Sequence, residues 1–243
     1  MKAIVTIFQC KRVVLPYIFT RYCYPIMKDI FPGKMELNII QHVGGFTSVP
    51  LTHLVTSHLN NSKLELVQKW TEAGRYDGAN IIQHKEKWPL YPHMPSFKHG
   101  VELAVKGKFD YHLWLEDDAL VLDENCDKWS EYIPDGSIAT CNSSKIVCVA
   151  HFLSTLGFDK KVLPIVSDKD IWRLGGSNFK KDGSLKPWRV EARFAIEAGD
   201  NRVLLKAKRA RMHKNKPGNR QRVLDLINYV APGEEHLLAL DFN

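Results

Sequence analysis

Four short apolar runs alternate with longer segments of helical periodicity: "KAIVTIF" (2–8), "MELNIIQH" (35–42), "GANIIQH" (78–84) and "YHLWL" (111–115). Their length and β-branched content predict strands. After the second run, the latter half of 49–73 predicts a helix. Leu64, Leu66, Val67 and Trp70 share one broad side of it, and Asn61 or Ser62 stands at its start. After the third run, Phe97, Val101, Ala104 and Val105 recur at helical spacing, Ser96 reads as an N-cap, and Gly107 ends the segment. Strand–helix–strand alternation over the first half predicts an α/β fold with a mainly parallel sheet.

The chain has 243 residues, enough for a sizeable core, and is expected to form a single domain over 1–243. With 44% hydrophobic and 25% charged residues it has the composition of a soluble globular protein. The formal net charge of +7 favours acidic partners such as nucleotides, phosphorylated sugars, nucleic acid or anionic lipid. Cys10, Cys23, Cys126, Cys141 and Cys148 are scattered and form no C-x-x-C pair. This predicts reduced thiols, no thiolate zinc cage and a cytosol-like compartment. Gln9, Lys11 and Arg12 interrupt the apolar N-terminus, so neither a signal peptide nor a membrane span is expected, and the localisation expected is cytoplasmic.

In a parallel α/β sheet, ligands bind beyond the carboxyl ends of the strands. There the fourth run releases Glu116, Asp117 and Asp118 in succession. Three adjacent carboxylates repel one another and resist desolvation, so a cation belongs beside them. A solvated acidic turn is the plainer reading.

The segment "FKHGVELAVKGKFDYHLWLEDDALVLD" (97–123) resembles the core of nucleotide-sugar glycosyltransferases of the GT-A fold. In those enzymes a helix with a basic-residue-x-Gly pattern leads through a glycine turn into an apolar strand ending in an acidic "DXD" motif. Lys98-His99-Gly100 and Glu116-Asp117-Asp118 stand at the corresponding places. The resemblance implies a GT-A, Rossmann-like fold with a mixed, mainly parallel sheet flanked by helices. Residues 1–123 would form the nucleotide-sugar-binding half and 124–243 the acceptor-binding half. It implies a nucleoside diphosphate sugar donor and Mn²⁺ or Mg²⁺, with Asp118 as the direct metal ligand. Glu116 would reach the metal or the ribose, Asp117 would support one or the other, and Lys98 would hold phosphate. A hard divalent ion bridging carboxylate and pyrophosphate suits this chemistry, because it stabilises the departing nucleotide.

The second half supplies further candidates. Gly175 and Gly176 lie where GT-A enzymes have a glycine-containing loop that approaches the donor, or they form a plain turn. Glu191, early in a segment that follows Pro187, is the candidate catalytic base, against an ordinary carboxylate in a first helical turn. Ala192 follows it where the family often has a second acid, which leaves inversion or retention open. His213 matches a late histidine that completes the family's metal site, or is a surface histidine.

His213 lies inside a run (201–222) with nine Lys or Arg and no acid. Those cations would grip pyrophosphate, or they form a nucleic-acid footprint. Three alternatives follow from that run and the carboxylates. One is the same chemistry on DNA, as in viral enzymes that glucosylate hydroxymethylated pyrimidines, with a host-cytoplasmic location. Another is a non-catalytic nucleic-acid-binding protein. The third is a phosphoryl- or nucleotidyltransferase drawing on Asp168 and Asp170. Otherwise the acceptor is a glycan or protein hydroxyl. "IIQH" occurs twice, at 39–42 and 81–84, with no wider period, and reads as repeated strand chemistry. The tail 229–243 carries no legible chemistry.

Overall fold

The apolar runs form adjacent strands in a computed structural model, which describes residues 1–9, 12–42, 61–84, 93–133, 138–140, 152–155, 163–164, 181–182, 202–212 and 217–242. Strands β1 (Lys2–Gln9), β2 (Lys34–His42), β3 (Ala79–His84) and β4 (Tyr111–Glu116) are mutually parallel. Strands β6 (Ile138–Thr140), β7 (Phe152–Thr155) and β8 (Arg202–Leu204) extend the sheet to the order β3-β2-β1-β4-β7-β6-β8. β7 runs antiparallel to both β4 and β6. The result is a mixed α/β architecture with a parallel centre. A separate antiparallel pair joins β5 (Ala119–Leu122) to β9 (Lys208–Arg211).

The period of two assigns each strand residue to a face. Ala3, Val5, Ile7, Leu37, Ile39, Leu113 and Leu115 are buried in the larger core. That core also takes residues from α1 (Val14–Ile18), the π-helical turn Phe19–Cys23, α2 (Tyr24–Ile30) and α3 (Asn61–Glu72). On the opposite face α4 (His93–Lys106) packs over β1 and β4, with Phe97 edge-on to Trp114 at 4.9 Å between ring centroids. Gly100 makes this approach possible. A Cβ there would lie 3.1 Å from Thr6 Cγ2 and 3.3 Å from the Trp114 ring. The glycine of the basic-x-Gly pattern thus has a packing reason of its own. At the helix end a Cβ on Gly107 would strike the Phe109 ring at 2.2 Å, and Lys108 takes the left-handed backbone turn (φ 52°). α4 begins at His93, so Ser96 lies inside the first turns and is buried, not the N-cap that its side chain suggests. Pro95 is tolerated so early because the first amides of a helix have no intrahelical acceptor.

The repeated "IIQH" acquires a meaning from register. Gln41 pairs with Gln83 across β2 and β3, and Gln9 with Gln41 across β1 and β2. Their amides form a one-directional ladder: Gln83 Nε2 donates to Gln41 Oε1 (3.2 Å), Gln41 Nε2 to Gln9 Oε1 (2.8 Å), and Gln9 Nε2 to the Arg12 carbonyl (3.1 Å). Gln9 and Gln41 are fully buried, so their amides must find partners within the protein, and the ladder supplies them. Gln41→Leu should therefore cost about 1–3 kcal/mol in urea unfolding, since buried Gln9 Oε1 loses its donor, while the exposed Gln83 amide can turn to water. An unchanged midpoint would show that Gln9 is satisfied by other groups.

Among the described residues, Cys23 and Cys126 are free thiols and buried. Burial raises both, Cys126 to about 12. No helix there is long and apolar enough to cross a membrane.

Candidate active site where the strand order reverses

From β1 the chain builds outward to β2 and β3, then returns across the sheet to lay β4 on the other side of β1. The β1/β4 boundary is therefore the topological switch point, the place where ligands bind in open α/β sheets. Phe8 lies opposite Glu116 in register, so the segment leaving β1 and the acidic triplet leaving β4 emerge side by side.

The triplet is held by two arginines. The Arg12 backbone N–H donates to Asp117 Oδ2 (2.9 Å), and its guanidinium lies 4.0 Å from Asp117 Oδ1 and 3.7 Å from Asp118 Oδ2. Arg211 Nε sits 3.0 and 3.2 Å from the two oxygens of Asp118, while its Nη2 donates to Glu116. One guanidinium therefore bridges the first and last carboxylates. Asp117 and Asp118 side chains are only 6% and 7% exposed, Glu116 15%, Arg12 17% and Arg211 25%. Charge burial on this scale is tolerable because opposite charges share the crevice.

The backbone explains how Arg211 arrives there. Ala119 opposes Arg211 in the β5–β9 ladder, and the Met212 N–H donates to the Asp118 carbonyl (2.8 Å). Arg12 Nη2 in turn donates to the Met212 carbonyl (3.2 Å), joining the segments after β1, β4 and β9. Buried Ala210 and Met212 alternate with Arg211, the period of a strand. That alternation is the sequence signal for β9, within a run otherwise dominated by cations. The cation that the carboxylates call for is thus, in this structure, supplied from within the chain.

The segment after β1 has further supports. Asp241, in the short helix Ala239–Phe242, accepts from the N–H groups of Val13 (2.9 Å) and Val14 (3.0 Å) and pairs with Lys63 (3.2 Å). Burial raises its carboxyl above the ordinary range, against the lowering effect of these partners. Glu234 accepts from Tyr17 (3.2 Å) and Tyr22 (2.7 Å) hydroxyls. The tail, silent in sequence, anchors the helix that follows β1. Beyond the triplet, Asp123 accepts from Trp129 Nε1 (2.7 Å) and the Asn125 N–H (2.9 Å), and burial raises its carboxyl.

The remaining candidates divide. Lys98 is on α4, where its ammonium lies 3.6 Å from Glu102 one turn on, and among the described residues no contact joins it to the triplet. Gly175, Gly176, Glu191, His213, Asp168 and Asp170 lie outside the described residues, as do Cys10, Cys141 and Cys148. Arg12 and Arg211 were not singled out from sequence as partners of the carboxylates.

Comparison with known proteins finds no matching family model and no matching curated protein. Among solved structures, S. aureus TarS aligns over 97% of this chain and 41% of that chain, at 14% identity and a TM-score of 0.44. A mannosyltransferase, PcManGT from Pyrobaculum calidifontis in complex with GDP-Man and Mn²⁺, aligns over 83% and 56%, at 10% identity and a TM-score of 0.43. The galactosyltransferase LgtC, in complex with donor and acceptor sugar analogs, aligns over 84% and 73%, at 11% identity and a TM-score of 0.39. The chain thus spans well under two thirds of the TarS and mannosyltransferase chains.

Proposed function

We propose that this chain is a GT-A-type glycosyltransferase that moves a sugar from a nucleoside diphosphate sugar to an acceptor hydroxyl. One observation carries the reading: three largely buried carboxylates stand at the β1/β4 switch point, two of them converging on a single cation position. The donor set suits a hard divalent ion, because Glu116 and Asp118 already aim oxygens at one guanidinium, which stands in for a cation. Asp118 and Glu116 would hold Mn²⁺ or Mg²⁺, with His213 as a third ligand by resemblance to the family. When bound, that ion supplies Lewis-acid stabilisation of the nucleotide leaving group.

The chain's own residues have separate tasks. Asp117, engaged by the Arg12 N–H, fixes the segment after β1 against the triplet. Arg12, braced on the Met212 carbonyl, adds positive charge at the crevice where a diphosphate would lie. Gly175 and Gly176 would let backbone N–H groups approach the donor, and Glu191 would take the acceptor proton. Lys98, near the start of α4, would meet phosphate by exchanging its partner Glu102.

Calorimetric titration with UDP-, GDP- and TDP-sugars, with and without Mn²⁺, tests the reading. Divalent-dependent binding of one donor is expected. Absence of binding for the whole panel, with folded protein, would remove it. Lys98→Ala should weaken donor binding by about 1–3 kcal/mol and leave free nucleoside affinity unchanged, as fits a charge-assisted bond to phosphate. An equal loss for the nucleoside would assign Lys98 to folding.

A further inference from the structure

Arg211 occupies the position that a metal would need. Its Nε lies within 3.2 Å of both Asp118 oxygens, and its Nη2 donates to Glu116. An ion coordinated by Glu116 and Asp118 together cannot share that space with the guanidinium. The Arg211 backbone cannot retreat far, since the β5–β9 ladder holds it opposite Ala119 and the next residue bonds the Asp118 carbonyl. The side chain is the part able to move, and it is 25% exposed.

We propose that Arg211 is a resident cation that exchanges ligands on loading: it leaves Glu116 and Asp118 when a divalent ion takes them, and its guanidinium then binds the donor's diphosphate. This rests on reading the crevice as a cation and diphosphate site. Charge supports the exchange. Among the described residues, Arg211 pairs with Glu116 and Asp118, and a divalent ion that takes those two carboxylates displaces the guanidinium from them. A diphosphate arriving with the ion gives the guanidinium new acceptors, because its oxygens suit the planar fork that the carboxylates release. Metal and diphosphate therefore bind cooperatively, each improving the other's affinity by the same factor. Arg12 is not equivalent. Its backbone N–H holds Asp117 and its Nη2 holds the Met212 carbonyl, so its place is fixed by two segments.

The test uses Arg211→Gln, with Arg211→Lys as a second variant that keeps charge but not the fork. Mn²⁺ alone is titrated calorimetrically, and UDP and GDP are then titrated at saturating Mn²⁺. Arg211→Gln is expected to bind Mn²⁺ alone at least tenfold more tightly than the parent, and the diphosphate at least tenfold more weakly. Arg211→Lys should fall between. Mn²⁺ should also raise the melting temperature of Arg211→Gln more than that of the parent, a readout independent of nucleotide. Mn²⁺ affinity that is unchanged or lower in both variants overturns the proposal, because Arg211 would then be organising the metal ligands. Tighter Mn²⁺ with unaltered diphosphate affinity also overturns it, since the guanidinium would have no second partner. If the parent binds neither UDP nor GDP, the donor reading fails by itself, and the Mn²⁺ comparison still decides whether Arg211 holds the cation position.

Discussion

Asp118→Asn is expected to lower stability in metal-free buffer by about 2–4 kcal/mol and to abolish Mn²⁺-dependent binding of nucleoside diphosphate sugar. Both Asp118 oxygens lie within 3.2 Å of Arg211 Nε, and Arg12 approaches one of them at 3.7 Å. Removing the charge leaves two poorly solvated guanidinium groups short of a partner, and breaking such a buried pair is costly. The lower end applies because a quarter of the Arg211 side chain meets water, which offsets part of the loss. Sequence alone gives the opposite sign: three neighbouring carboxylates repel, so neutralising one should stabilise the chain. Chemical denaturation of parent and variant in chelator separates the two. A variant as stable as the parent would mean that repulsion within the triplet outweighs its arginine pairs.

The second large effect is expected at Asp241→Ala, far from the triplet in sequence. The side chain is 2% exposed and serves two backbone N–H groups and the Lys63 ammonium. Alanine leaves all three without that acceptor, a loss of about 2–4 kcal/mol at neutral pH. Val13 directly follows Arg12, so the variant should also weaken divalent-dependent donor binding, which a remote core truncation would not do. The pH dependence has a definite sign. Burial raises the Asp241 carboxyl, so the folded chain keeps its proton where the unfolded chain has released it. The stability this group contributes is therefore greatest below the ordinary Asp pKa of about 3.9, and declines as pH rises through the raised folded value. The advantage of the parent over Asp241→Ala should shrink across that window. An advantage that grows with pH would show that its partners outweigh burial and lower the carboxyl.

The four parallel strands were legible because each is a short apolar run that must be buried, and burial by a period of two leaves a direct trace in composition. α3 and α4 were legible for the corresponding reason at the helical period, although Ser96 misplaced the start of α4: a good capping side chain competes poorly with packing against β1 and β4. The acidic triplet was also legible, since a strand end fixes where charge emerges. The roles of Glu191, Gly175, Gly176 and His213 are proposals from resemblance to a family, and those residues lie outside the described part of the chain.

What sequence could not supply was pairing. Any of nine basic residues between 201 and 222 could have met the carboxylates. The β5–β9 register selects Arg211, because it sets that residue opposite Ala119, next to Asp118. The glutamine ladder likewise exists only once three strand ends stand in register, which turns a repeated tetrapeptide into a continuous chain of amides. Asp241 reaches Val13 only after the chain has folded back on itself. Local sequence determines which residues must be buried and where charge leaves a strand, because those depend on near neighbours. Partners for that charge come from distant segments, and their identity depends on strand order and register, which only the tertiary structure decides.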